Sequence, residues 1–168
     1  MKEPKVKRIT GILYPDENYL SWSIDMLAKI WGNPEIISKP VPFDKTSYYD
    51  DISPNLTRIF LCFPGLVNAG ELADWKHTAI NIEGMSRQPV RAVNIDPGYI
   101  DGARLVLAST KDHAHRIYLR DGIFAEVTMR YRFRKWASFD YTFPDFASGA
   151  YDEFLLRARK LWLKEVKS

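Results

Sequence analysis

The chain has almost no cysteine. Its one copy, Cys62, lies inside the apolar run Ile59–Phe63. A single thiol excludes a disulfide framework and a Cys-based zinc site. A small buried apolar residue is the expected role. Long apolar runs are also missing. None approaches the roughly 20 residues that cross a bilayer. The opening MKEPKVKRIT has basic residues but no apolar stretch after them, so no signal peptide is read there. A cytoplasmic protein with no membrane partner is expected. Neither common phosphate cradle, G-x-x-x-x-G-K-[ST] or G-x-G-x-x-G, is present, and neither is a G-x-S-x-G elbow or an H-E-x-x-H helix. A nucleotide would have to bind without those devices. Strong charge of one sign is lacking as well: the net charge of +3 is too mild to require a nucleic acid. The imbalance lies late in the chain. Residues 1–100 carry 11 basic and 12 acidic side chains, whereas residues 101–168 carry 13 and 9. An anionic partner would therefore meet the second part.

What is present suits one globular domain of 168 residues, with no linker, repeat or low-complexity tract. Val6–Tyr14 reads as a strand. Pro15-Asp16 ends it, and Leu20, Ile24, Leu27 and Trp31 recur at helical spacing, so Glu17–Trp31 is a helix closed by Gly32. Glu35–Val41 with Pro40 and Pro42 reads as an edge strand, because proline cannot donate to a ladder. A polar loop, 44–55, carries Tyr48 and Tyr49. Leu56–Phe63 is apolar on both faces and belongs in mid-sheet. Asn68 and Glu71 form a capping-box pattern before the stripe Leu72, Trp75, Ala79 and Ile82. Val90–Ile95 reads as another strand. This order of strand, helix, strand, strand, helix, strand is the ferredoxin-like split βαβ pattern. The fold expected is α+β, with an added hairpin and a closing helix over 148–166.

Asp96-Pro97-Gly98 reads as a turn, and 103–108 fits helix or strand equally. A hairpin is expected around Arg120-Asp121-Gly122. A three-residue loop with Gly122 left-handed sorts the side chains. Ile117, Leu119, Ile123, Ala125, Val127 and Met129 then share one face, and Arg116 stands opposite Glu126 on the other. Residues 134–144 read as an aromatic connector.

Chemistry concentrates between Asp96 and Arg116. Asp96 with His115 can move protons, His115 being oriented by the carboxylate. Lys111 and Arg116 can hold a phosphate or carboxylate. The bland alternative is an Asp96 that caps its own turn and an Arg116–Glu126 cross-strand pair. His113 and His115 point to one side of an extended segment and can bind a metal with Asp96 or Asp112, though spacing fixes no third ligand. Arg130–Trp136 alternates basic and aromatic residues, which can track a nucleic-acid backbone with Trp136 stacking on a base. The Tyr48-Tyr49 loop and Tyr141–Phe146, with Asp44 and Asp145 nearby, can rim a pocket or contact a protein partner.

The segments Gly11–Tyr14, Pro42-Phe43-Asp44 with Tyr48-Tyr49, Asn94–Tyr99, Leu105–Asp112, His115–Leu119, Gly122–Thr128 and Tyr141–Asp145 resemble, as a set, a prokaryotic family built on the domain of unknown function numbered 4416. The resemblance covers nearly the whole chain. Cys62-Phe63-Pro64, Phe143 and Phe146 depart from the pattern. The resemblance implies no activity and names no cofactor. It does place motifs on Asp44, Asp96, Lys111, Asp112, His115 and Arg116. The reading is a protein that binds a small anionic ligand, a nucleotide or phosphorylated metabolite. Asp96 and His115 serve proton transfer, and Asp44, Tyr49, Lys111, Asp112 and Arg116 bind the ligand. The alternatives are a non-catalytic interaction module working through the aromatic loops, and an RNA-binding protein working through Arg130–Trp136.

Overall fold

The computed structural model describes residues 1–44 and 48–168. Residues 45–47 of the expected polar loop lie outside the described residues. Helix and strand take nearly equal shares, 32% and 34%, so the protein is α+β.

The spine is β1 (Lys5–Tyr14), buried along almost its whole length. A strand buried on both faces needs cover on both, and two helical layers supply it. After β1, Asp16 caps α1 (Glu17–Trp31) by accepting the Tyr19 N–H at 3.0 Å, and Gly32 ends it at φ 90°. Two short strands follow, β2 (Ile36–Ile37) and β3 (Val41–Phe43). They replace the single edge strand expected over 35–41. Pro40 has no N–H for a ladder, and the strand breaks there. Both pieces pair with β4 (Leu56–Cys62). β5 (Val67–Asn68) leads into a 3-10 turn, Ala69–Glu71, and α2 (Leu72–Ser86). Asn68 caps that turn through the Gly70 N–H at 2.9 Å. The expected capping box at the α-helix itself is not formed, because α2 starts three residues later.

The next strand, β6, runs Asn94–Ile100. The strand expected at 90–95 therefore starts late, and the expected Asp96-Pro97-Gly98 turn is straight strand. The stretch 103–108 resolves as strand β7 (Arg104–Ser109). Then come β8 (Arg116–Arg120), β9 (Ile123–Arg132), β10 (Lys135–Ser138), a short α3 (Pro144–Ala147) and α4 (Asp152–Val166). The closing helix starts four residues later than the sequence suggested.

Among the described residues, ten strands join one antiparallel sheet, whose main path is β10-β9-β7-β6-β1-β4-β2. α1 and α2 cover one face, where Leu27, Trp31, Trp75, Ala79 and Ile82 pack on Ile12, Ile59 and Ile95. α3 and α4 cover the other, where Phe146, Phe154, Leu155 and Ala158 pack on Ile9, Phe60 and Leu105.

In the β8–β9 hairpin Arg116 stands opposite Glu126. Two details differ from expectation. The register shifts between Tyr118 and Arg120, so the loop is only Asp121-Gly122, both at positive φ. The bulge lets a two-residue turn coexist with the sorted register. A second shift between Leu105 and Val106 carries Met129 into the opposite core from Ile123. The supposed apolar face is also only half covered: Ile117 is 70% exposed, since β8 pairs with β9 alone and no helix packs over it.

The feature that positions the site is a fork. β6 pairs with β1 from Asn94 to Ile100, but with β7 only over Gly98–Ile100. Pro97 cannot donate a hydrogen bond, and it stands just before the first β6–β7 pair. Gly98 makes the contact at the crotch. A Cβ there would lie 2.2 Å from the Val106 carbonyl oxygen, so no other residue fits. Beyond Gly98 the two strands diverge.

Candidate functional site

An unpaired strand edge leaves buried backbone groups that need partners. On β6 those partners come from α2. Ile95 donates its N–H to Glu83 Oε2 at 2.6 Å, and Lys76 Nζ donates to the Ile95 carbonyl at 3.1 Å. Two charged side chains thus take the place that β7 would have filled. Both lie on the buried stripe of α2, Lys76 one turn from Leu72 and Glu83 one turn from Ala79. Arg91 Nη1 holds the other Glu83 oxygen at 2.7 Å. Burial pushes the Glu83 carboxyl up, while Lys76 and Arg91 pull it back.

Asp96 is the hub on the far side of the fork. Gly11 lies between Phe60 and Asp96 in one row of the sheet, and Leu13 lies between Arg58 and Asn94 in the next. These side chains share a face. Lacking a side chain, Gly11 makes room for the Phe60 ring, since a Cβ would sit 2.8 Å from it. Asp96 accepts from Asn94 Nδ2 at 2.8 Å, Arg58 Nη2 at 3.3 Å and Lys76 Nζ at 3.3 Å. Burial opposes its charge, but the Lys76 and Arg58 cations outweigh burial and hold the carboxyl below its ordinary range. Arg58, itself buried, also donates to Asp145 of α3 at 2.5 Å. Lys76 reaches Asp96 from the opposite helical layer, which is possible only because the fork leaves a gap in the sheet.

The opposite wall comes from β7, β8 and β9. Glu126 organises it. One oxygen meets His115 Nε2 at 2.7 Å and Arg116 Nε at 3.1 Å, and the other accepts from Thr128 Oγ1 at 2.7 Å. Arg116 Nη1 also donates to Ser109 Oγ at 2.9 Å and to the Lys111 carbonyl at 3.0 Å. One guanidinium therefore pins the whole strap between β7 and β8. The His115 ring stacks on Tyr141 at 4.0 Å and 14°. The Lys111 ammonium lies 3.6 Å from the centre of the Tyr48 ring.

Between these walls is a cavity of about 500 Å³. That is within the size range of small-molecule sites. Of the residues named from sequence, Asp96, Tyr49, Lys111, His113, His115 and Arg116 line it. Asp44 and Asp112 do not; both are exposed outside it. Asp96 does not cap a turn, and the carboxylate that orients His115 is Glu126 rather than Asp96. The His113 and His115 rings are 5.8 Å apart, and among the described residues no three His, Cys, Asp or Glu groups are placed to hold a metal.

Arg58, Lys76, Glu83 and Asn94 were missed by the sequence reading. The signal was there for three of them: Arg58 is a lone charge in a two-sided apolar strand, and Lys76 and Glu83 are charges on a buried helical stripe. Two other candidates lose a part. Trp136 is buried in the second core, so it cannot stack on a nucleic-acid base, and Phe146 lines the cavity from within that core rather than from an exposed rim. Phe133 and Arg134 form the β9–β10 turn at positive φ, which breaks the expected alternation.

No curated protein and no solved structure matches this chain. One family model does: the one described as Domain of unknown function (DUF4416), over residues 4–162.

Proposed function

We propose that this chain, which belongs to the DUF4416 family, binds a small anionic ligand in the cavity at the strand fork. The observation that carries the reading is the convergence of cations on one cavity from α2, β4, the segment before β6, the strap between β7 and β8, and β8 itself. Arg58, Lys76, Arg91, Lys111 and Arg116 line it, against the carboxylates Glu83, Asp96 and Glu126. Charge of that kind inside a cavity favours an anion and orients it. His115 is the acid/base group of the site, with Glu126 fixing its ring and Tyr141 its plane. Asp96, engaged by three donors and kept ionised, positions Arg58 and Lys76 rather than moving protons. The test is a thermal-shift screen with nucleotides, sugar phosphates and small carboxylates. A binder at a hundredfold excess over its Kd should stabilise the fold by about 2.7 kcal/mol. Silence from every anion overturns the reading.

We infer further that the β6-β1-β4-β2 portion is a split βαβ core of ferredoxin-like type. Its antiparallel order, with α1 and α2 as the two crossovers on one face, supports this. A second functional reading, a protein-interaction module, is favoured by one observation. The outer edge of β8 presents Ile117, Tyr118 and Leu119 to solvent, and such edges invite pairing. Ile117→Lys should then abolish co-purification of a partner. Persistence of the complex would argue against that edge.

A further inference from the structure

We propose that the ligand of this cavity carries a single phosphoryl group on an aromatic base-bearing body, that is, a nucleoside monophosphate. This rests on the anion-binding reading above and narrows it. The charge count comes first. Arg58 is matched by Asp145 and Asp96, Lys76 by Asp96, Arg91 by Glu83, and Arg116 by Glu126. Among the described residues, five cations of the cavity thus meet four carboxylates, the three that line it and Asp145 behind Arg58, and Lys111 has no carboxylate partner. Lys111 belongs to the strap, and its ammonium lies at the Tyr48 ring of the loop before β4. One uncompensated cation suits one anionic group. A triphosphate would bring three or four negative charges to a site where, among the described residues, one lysine has no carboxylate partner. Such ligands normally also meet a glycine-rich amide cradle and a carboxylate-held Mg²⁺. The sequence contains neither standard cradle.

The body of the ligand follows from the rest of the space. A cavity of about 500 Å³ is far larger than a phosphate ion. Its walls include the rings of Tyr49 and Phe143 with Leu107 and Ile80, and Tyr141, whose ring is already stacked on His115 and Phe139. Its floor is polar and directional. Asn94 spends its Nδ2 on Asp96 and keeps its carbonyl oxygen, while Thr128 and Glu83 add further polar edges. Aromatic walls with a few fixed donors and acceptors suit a flat ring that has hydrogen-bonding edges. A plain sugar phosphate would leave the ring walls without contact. The phosphoryl group is placed on Lys111 and the base toward Asn94.

Isothermal titration tests this with the four ribonucleoside 5′-monophosphates, their nucleosides and triphosphates, and ribose 5-phosphate. At least one monophosphate should bind, with its nucleoside and ribose 5-phosphate each at least about tenfold weaker and its triphosphate no tighter. Lys111→Met should bring the monophosphate down to the affinity of its nucleoside and leave the nucleoside unchanged. Lys111 is exposed, and matched melting curves would establish that the variant folds. A triphosphate tenfold tighter than the monophosphate overturns the inference. So does a Lys111→Met protein that binds the monophosphate as well as wild type. Ribose 5-phosphate binding as tightly as any nucleotide overturns it too, but leaves the anion site standing. Failure of every compound, together with silence in the wider anion screen, removes both.

Discussion

Asp96→Asn removes one charge from the hub and keeps the shape of the side chain. In the wild type three donors converge on that carboxylate, and it is only 17% exposed. Removing one partner of a buried ion pair costs about 3–5 kcal/mol, most of it from the cation left behind. Here each cation keeps an acceptor: Arg58 retains Asp145 at 2.5 Å and Lys76 retains the Ile95 carbonyl at 3.1 Å. The loss should therefore sit at the low end, about 3 kcal/mol, or roughly 6–12 °C in Tm for a chain of this size. The pH dependence has a definite sign. Lys76 and Arg58, overcoming burial, lower the folded-state pKa of Asp96. A lowered carboxyl stabilises the fold above its unfolded pKa near about 4, and that stability disappears as pH falls through the folded value. Urea unfolding of both proteins between pH 7 and pH 3 should show a full deficit at neutral pH, constant down to about pH 5, then shrinking. A deficit under about 1 kcal/mol at pH 7, or one that grows in acid, would refute the account of Asp96 as an ionised hub.

Four other variants probe separate parts of the fold. Gly98→Ala should cost more than about 3 kcal/mol in urea unfolding, because its Cβ meets the Val106 carbonyl oxygen at 2.2 Å; Gly122→Ala, left-handed at φ 78° but with nothing nearby, should cost only about 1 kcal/mol. Glu126→Gln deprives His115, Arg116 and Thr128 of a shared anion. It should cost about 2 kcal/mol and speed amide exchange across residues 110–115, while exchange in β1 stays slow. Phe133→Asn with Arg134→Gly should stabilise the protein by about 1 kcal/mol in a thermal melt. Both positions now hold left-handed conformations that Asn-Gly adopts without strain, and Phe133 is 79% exposed, so no core contact is lost.

Part of the site was legible in the sequence because it is local. Lys111, His113, His115 and Arg116 lie in one strap, and the Arg116–Glu126 pair follows from sorting apolar and polar residues across a hairpin. The Asp96–His115 relation was not legible. Which carboxylate meets an imidazole depends on the distance between strands, and here Glu126 on the adjacent strand is nearer. The Asp-Pro-Gly stretch misled for a physical reason. Turn residues are also what a strand needs where its pairing with a neighbour stops and that neighbour presses close at the last pair.

The sequence by itself determined the bodies of the three long helices, because spacing, caps and glycine stops act within a few residues: α1 runs from Glu17 to Trp31 as the periodicity required. It also determined that β4 is buried on both faces and that its single arginine needs a partner. Tertiary structure alone decided which partner. Arg58, Lys76 and Asp96 come from three distant segments, and they meet because β6 and β7 separate beyond Gly98. Periodicity tells which face a side chain takes, but only the packed sheet sets where two strands part and which charges must fill the space between them.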